Sequence, residues 1–133
     1  LPRVVLPGGV NFIGLGEAAL MPDAYRARPH YAHSPLFTHV QCTEDEVITC
    51  AGILGRALAN ADAPVRVLIP MGGFSSEDRP GGAIQAPALG AAFADTLETH
   101  LPLTRLPGHI NDSAVAQAAV TALQDITKDA AHA

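Results

Sequence analysis

Short apolar runs alternate with helical segments from residue 36 onward, and this alternation limits the fold more than any other feature of the sequence. Each apolar run is long enough for one buried strand, and each helical segment can return the chain to the same edge of a sheet. The pattern predicts an α/β domain of Rossmann-like or flavodoxin-like type, with three layers and a mostly parallel sheet of about four strands. The predicted strands are 3–7, 36–42, 65–71 and 103–107.

The last three of these strands are each followed by a predicted helix with a recognisable first turn. Thr43 and Glu46 have the spacing of a capping box, and apolar residues then recur every three or four positions as far as Ala61. Pro87 stands where a first helical residue is expected, and three good N-cap residues occupy 111–113 before the last helix. The order from residue 36 is therefore β-α-β-α-β-α.

Residues 8–35 depart from this regularity. They hold four glycines and three prolines and show no clean hydrophobic period. A loop of this length inside a compact domain is usually functional or packs on a partner. The chain also opens on Leu1, close to a strand, which predicts that it is a piece of a longer protein.

Length and charge exclude several classes of function. With 133 residues the chain forms one domain, 1–133, and a hydrophobic share of 48% allows a substantial core. A net charge of −5, with eight scattered basic residues, argues against nucleic acid or an anionic membrane as a partner. No apolar run reaches the roughly 20 residues of a membrane-spanning helix.

The cysteines and histidines predict neither a disulfide framework nor a metal site. Cys42 and Cys50 fit no redox or zinc-binding spacing, so we expect reduced thiols and a cytoplasmic protein. His30, His33 and His39 have no regular ligand spacing. We interpret His39 as a packed or surface residue of a strand. We interpret His33 as a residue that faces the ligand-binding cleft expected at the ends of the strands.

Ligands of open parallel sheets bind beyond the carboxyl ends of the strands, where four segments of this chain should meet. In the segment 72–82, Gly72 and Gly73 are followed by Ser75 and Ser76. The backbone N–H groups and the two hydroxyls can bind an anion. The alternative is an ordinary connection whose glycines supply positive φ. Gly14 and Gly16 resemble a dinucleotide fingerprint, but their distance from the strand argues against it. The four segments are 7–16, 42–46, 72–82 and 108–113.

The most polar of these segments reads GHIND, from Gly108 to Asp112. His109 and Asp112 could form an acid–base pair at the mouth of a cleft, because histidine exchanges protons near neutral pH. Alternatively, Asn111 and Asp112 cap the last helix. Asp112 could do both, because a carboxylate at a helix N-terminus can cap the helix and still take part in acid–base chemistry.

The stretches LPGGVNFIGLG, HYAHSPLFTHV, IPMGGFSSEDRPGG and GHINDSAVAQAAVTAL resemble the C-terminal half of a family of uncharacterised bacterial and plant proteins. That family includes the ATP-binding N-terminal region of a plant tobamovirus-resistance protein. The resemblance covers nearly the whole chain in the same order. It implies two Rossmann-like subdomains, with ATP or a small phosphorylated ligand in the cleft between them. This chain would be the second half, and its N-terminal subdomain would be its partner.

The resemblance assigns residues as well. An acid of the family's pattern falls on Asn11, and another falls on Ala86, so two carboxylates that could hold a metal or act as bases are missing here. His109 and Asp112 stand as the catalytic candidates. The residues expected to contact the nucleotide are Gly8, Gly9, Asn11, Gly72, Gly73, Ser75, Ser76, Gly81 and Asn111.

Three hypotheses about function remain open at this point. The first is a half-domain that binds a nucleotide or phosphometabolite together with its N-terminal subdomain. The second is an enzyme in which His109 and Asp112 act as acid and base and Ser75 stabilises an oxyanion or phosphate. The third is a regulatory module with an exposed apolar patch within 8–35. Self-association into a homo-oligomer is compatible with each of them.

Overall fold

The computed structural model describes residues 1–131 and shows an α/β domain with two separate sheets. Four helices accompany six strands in this part of the chain. In chain order the elements are β1 (Arg3–Val5), β2 (Phe12–Leu15), a 3-10 turn (Ala18–Leu20), α1 (Asp23–Arg26), β3 (His30–Ser34), β4 (Phe37–Gln41), α2 (Glu44–Ala59), β5 (Val65–Pro70), α3 (Pro87–Glu98), β6 (Thr104–Leu106) and α4 (Ser113–Ala131).

The larger sheet is parallel and has three strands in the order β1-β5-β6. Its central strand, β5, is buried from Val67 to Pro70, because α2 and α3 cover one face and α4 contacts the other. Such continuous burial is typical of a central parallel strand. Phe93 and Leu97 of α3 pack against Ile69 in the main core.

The predicted sheet of about four mostly parallel strands is wrong in one strand. Residues 37–41 form β4, which pairs antiparallel with β2 and β3 in a sheet of its own, in the order β2-β4-β3. Thr38 and Val40 of β4 are buried, while the alternate positions 37, 39 and 41 are more exposed. This alternation is the signature of an antiparallel strand with one covered face. The sequence FTHVQ does not reveal it, because the exposed position 37 is Phe and the buried position 38 is Thr.

Residues 8–35 are not one long loop, since they contain β2, β3, α1 and the 3-10 turn. Cys42 N–H donates to the Asn11 carbonyl at 2.9 Å, which extends the pairing of β2 with β4 by one residue pair. Gln41 Nε2 donates to the Ile84 carbonyl at 3.2 Å and so ties the small sheet to the connection that follows β5. Residues 8–35 therefore supply β2 and β3, and β4 pairs with these two strands and not with the parallel sheet.

The predicted helix starts are confirmed. Thr43 caps α2 with both bonds of the capping box, and Pro87 is the first residue of α3. The backbone carbonyl of Asp112 accepts from Val115 and Ala116 at the start of α4. No helix among residues 1–131 combines the length and the apolar composition that crossing a membrane requires.

Candidate functional site

Three of the four predicted strand-end segments follow parallel strands and are hydrogen-bonded to one another. The fourth, 42–46, follows the antiparallel strand β4 and contacts this edge through the bond from Cys42 to Asn11. Gly9 N–H donates to the Phe74 carbonyl at 2.8 Å, and Ile110 N–H donates to the Gly73 carbonyl at 3.0 Å. These contacts bring most of the predicted site residues to one edge of the sheet. We call the three connections the β1 loop (6–11), the β5 loop (71–86) and the β6 loop (107–112).

Two glycines of the β5 loop are needed for contact between backbones. A Cβ atom on Gly72 would lie 2.6 Å from the carbonyl carbon of Gly108. Gly73 has a φ of 133°, and a Cβ atom there would lie 1.8 Å from the Asp78 carbonyl oxygen. These glycines therefore let the β5 loop pack on the β6 loop and on itself.

A buried carboxylate holds the β5 loop closed. Asp78 is only 5% exposed, and its two oxygens accept from Phe74 N–H at 2.9 Å and Ala86 N–H at 3.2 Å. The N–H groups of Gly72 and Gly73 also donate to protein carbonyls. Beneath the loop lies a cavity of about 20 Å³, room for a single water molecule. These N–H groups therefore do not form an open anion cradle.

Two of the predicted contact residues lie away from this closed part of the loop. Gly81 is exposed with a φ of 83°, and its N–H donates to the side chain of Gln85 at 3.3 Å. Ser76 is exposed as well, and its carbonyl accepts from Arg79 Nε at 2.8 Å. The structure therefore separates Gly81 from the meeting point of the three loops.

His109 links the β6 loop to the β5 loop through both ring nitrogens. Asn111 N–H donates to Nδ1 at 3.1 Å, so Nδ1 is the acceptor and the proton resides on Nε2. Nε2–H then donates to the Ser75 carbonyl at 2.8 Å. The ring is largely buried, and both nitrogens are engaged, so its visible role is to position Ser75.

Asp112 does not contact the histidine ring in this arrangement. Its carboxylate accepts from the backbone N–H of His109 at 2.8 Å, which closes the β6 loop just before α4. The acid–base pairing of His109 and Asp112 remains a prediction. The contacts seen here show both side chains stabilising the loop.

Two buried polar side chains at this edge have no hydrogen-bond partner among the described residues. Asn11 is 2% exposed, and neither its amide nitrogen nor its amide oxygen is paired. The hydroxyl of Ser75 is likewise buried and unpaired. Leaving such groups unpaired costs about 1–3 kcal/mol each, so they call for an explanation. The β1 and β5 loops that carry them are joined by the bond from Gly9 to Phe74.

The small sheet carries a row of stacked rings that the sequence did not reveal. Phe12 and His39 stack with centroids 4.0 Å apart, and His33 stacks on His39 at 4.6 Å. The Tyr31 hydroxyl lies 2.8 Å from His39 Nδ1. Burial first, and Glu77 second, raise the pKa of Tyr31. The interpretation of His39 as a packed strand residue agrees with these contacts.

We expect His39 to make the domain less stable in acid. Burial, and then the neighbouring His33, lower the pKa of His39, so the folded state binds the proton less readily than the unfolded chain does. The free energy of unfolding should therefore fall once the pH drops below about 6.5, the ordinary pKa of histidine in an unfolded chain.

Urea unfolding between pH 7.5 and 5 measures this dependence in the wild type and in His39→Gln. The variant should show a shallower loss of stability. His30→Gln serves as the control, because His30 is exposed and lies outside the ring stack. Equal pH slopes in the wild type and His39→Gln would contradict the assignment.

A cavity of about 510 Å³ lies at the opposite end of the parallel sheet, where β5 and β6 begin. Arg66, His100 and Thr104 are among its lining residues. It is remote from the three loops and from their unpaired side chains, and sheets of this type bind ligands at the other edge. Among residues 1–131 there is also no group of three His, Cys, Asp or Glu side chains that could hold a metal ion.

Residues 1–127 match the C-terminal domain of an uncharacterised protein family, UPF0261. A UPF0261 protein of Rhizobium meliloti is 36% identical over 132 residues, which cover 95% of this chain and 33% of the relative. A UPF0261 protein of Mesorhizobium japonicum is 33% identical over 96% of this chain and 34% of its own length.

A more distant similarity reaches a plant protein. The ToMV resistance protein Tm-1(GCR237) of Solanum lycopersicum is 25% identical over 138 residues, covering 99% of this chain and 18% of the relative. The chain thus spans about a third of the length of the two bacterial relatives.

Proposed function

This chain belongs to the UPF0261 family, as a C-terminal domain, and on that basis we propose that it forms one wall of a site for a small phosphorylated ligand. The ligand class is a nucleotide such as ATP or a phosphometabolite. The domain acts as a Rossmann-like half, and the N-terminal subdomain of a longer protein supplies the opposite wall.

The unpaired side chains of Asn11 and Ser75 carry this proposal. They lie on loops at the carboxyl edge of the parallel sheet, where ligands of such sheets bind. Evolution seldom retains buried amide and hydroxyl groups without partners, because apolar side chains of similar shape would be more stable. A ligand that hydrogen-bonds to both groups removes this cost. Because the unpaired atoms are closed to solvent in this arrangement, the β1 and β5 loops must move to admit it.

The charges around the loops explain why a second wall is needed. The β5 loop carries the acids Glu77 and Asp78 and the single cation Arg79. A triphosphate therefore finds little positive charge here, and the main N–H donors of the loop are already occupied. The cations that neutralise the phosphates belong to the other subdomain in this proposal.

The experiment is a titration of the ¹⁵N-labelled chain with ATP, adenosine and inorganic triphosphate, followed by NMR. We expect weak ATP binding, with a Kd of about 1–10 mM, and shifts confined to the amides of the β1 and β5 loops. Adenosine and triphosphate separate base recognition from phosphate recognition. Shifts confined to the opposite end of the sheet, or failure of the full-length Rhizobium meliloti relative to bind ATP in the same titration, would refute the proposal.

Two substitutions distinguish a ligand contact from a packing role. Asn11→Leu removes the unpaired amide and should raise the free energy of unfolding by about 1 kcal/mol while it abolishes the ATP shifts. Ser75→Ala should act in the same direction with a smaller gain in stability. Thr38→Val is the matched control, because Thr38 also has a buried unpaired hydroxyl but lies in the small sheet. It should leave the titration unchanged.

A further inference from the structure

The two edges of the parallel sheet differ in chemistry. At the β6 edge, Arg105 forms ion pairs with Asp95 at 2.8 Å and with Glu98 at 2.6 Å. Charged side chains on an edge strand discourage another strand from pairing with it. These charges therefore disfavour the pairing of another strand with β6.

The β1 edge carries only one ion pair, and it is longer than the two at the β6 edge. Arg3 N–H donates to the Pro64 carbonyl, so the N–H and carbonyl of the next residue, Val4, point away from β5. In the described part of the chain, no strand pairs with that side of β1. Arg3, the charged residue of this strand, is bound back to Asp62 at 3.4 Å.

Apolar grooves flank β1 on both faces of the sheet. Between β1 and α2 lies a cavity of about 590 Å³, lined by Val5, Val10 and Ile53 among others. Between β1 and α4 lies another of about 270 Å³, which Val120 and Leu123 help to line. β1 therefore has a separate apolar groove on each of its two faces.

Each groove contains a half-exposed aliphatic side chain. Ile53 is 58% exposed in the first groove, and Val120 is 50% exposed in the second. They lie on opposite faces of the same strand, so a single helix or a flat partner covers only one of them. A strand added beside β1, with a helix on each face, covers both.

We propose that the β1 edge is the surface where the N-terminal part of a UPF0261 protein joins this domain, by adding a strand to the sheet and helices to both grooves. The length of the family supports this occupant, since about two thirds of the Rhizobium meliloti relative lies outside the region that matches this chain. The inference takes the N-terminal subdomain as partner from the proposed function. It needs no ligand.

The first test compares backbone amide hydrogen exchange in this chain with that in the full-length Rhizobium meliloti relative. We expect the peptide that matches residues 1–7 to exchange about 100-fold more slowly in the full-length Rhizobium meliloti relative than in this chain. The peptide that matches β6 is the internal control and should differ by less than about 5-fold, because that edge stays open. Equal exchange at β1 in the two proteins would overturn the inference.

Cys50 offers a second probe, because its exposed thiol lines the groove beside α2. The other thiol, Cys42, reacts slowly, since burial and nearby acidic groups raise its pKa to about 11. In this chain, Cys50 should react with iodoacetamide at a rate independent of protein concentration. Protection that grows with concentration would show that a second copy covers the groove, which contradicts the proposal.

The same thiol reports docking in a full-length chimera in which this chain replaces the matching 132 residues of the Rhizobium meliloti relative. We expect Cys50 to react at least about 10-fold more slowly there, and Ile53→Asp to restore the fast reaction. Phe37→Asp is the matched control, because Phe37 is 57% exposed but lies on the small sheet. If the chimera does not fold, the hydrogen-exchange comparison decides. ATP is absent throughout, so failure here is distinct from failure of the ligand proposal.

Discussion

Replacing Gly73 with alanine is expected to destabilise the domain by about 3 kcal/mol or more. The φ of 133° at this position is one that residues with a Cβ rarely adopt. The added carbon would also stand 1.8 Å from the Asp78 carbonyl oxygen, so the β5 loop must move. That movement breaks the bond between Gly73 and Ile110 that joins the β5 and β6 loops.

Urea unfolding followed by circular dichroism measures this effect, with Gly81→Ala as the matched control. Gly81 also has a positive φ, of 83°, but a Cβ atom there meets no atom within 4 Å. Its substitution should cost about 1 kcal/mol, from the backbone conformation alone. Similar losses in the two variants would show that steric contact at Gly73 is unimportant.

Removing the carboxylate of Asp78 is expected to cost about 3 kcal/mol of stability. Asp78→Ala leaves the N–H groups of Phe74 and Ala86 without their acceptors inside a nearly closed loop. Hydrogen bonds to charged groups contribute about 1.5–3 kcal/mol each, and part of the loss is recovered when water reaches the freed groups.

Asp78→Asn refines the measurement, because the amide keeps one acceptor oxygen and loses the other. In thermal or urea unfolding, Asp78→Asn should lower the free energy of unfolding by about half as much as Asp78→Ala does. Asp125→Ala on the exposed surface of α4 is the control and should change stability by less than about 0.5 kcal/mol. If Asp78→Ala behaves like Asp125→Ala, the carboxylate does not hold the loop.

The starts of the three long helices could be predicted because each depends on a few neighbouring residues. The bonds of the Thr43 capping box join positions three apart, and Pro87 begins α3 through its own fixed φ. The parallel strand β5 could be recognised for a similar reason, since its unbroken apolar run indicates burial on both faces. These are local signals, and local sequence carries them in full.

The exposed apolar surface shows a limit of this reasoning. A patch within 8–35 was expected for an interaction module, but the large exposed aliphatic residue of that segment is Leu20. Ile53 and Val120 instead flank β1, although 67 positions in the chain (120 − 53) separate them. Each lies on a helix whose sequence looks ordinary. Only the packing of both helices on one strand makes their exposure a common feature.

The sequence by itself determined the α/β class, the helix starts and the meeting of three strand-end loops, because parallel strands joined by helices place these loops at one edge. The tertiary structure alone decided that β4 leaves the parallel sheet, since its partners β2 and β3 come from a segment without a clear period. It also decided what the site residues do. The roles of the His109 and Asn11 side chains depend on whether hydrogen-bond partners reach them. Among the described residues, the structure supplies partners to both ring nitrogens of His109 and none to the side-chain amide of Asn11.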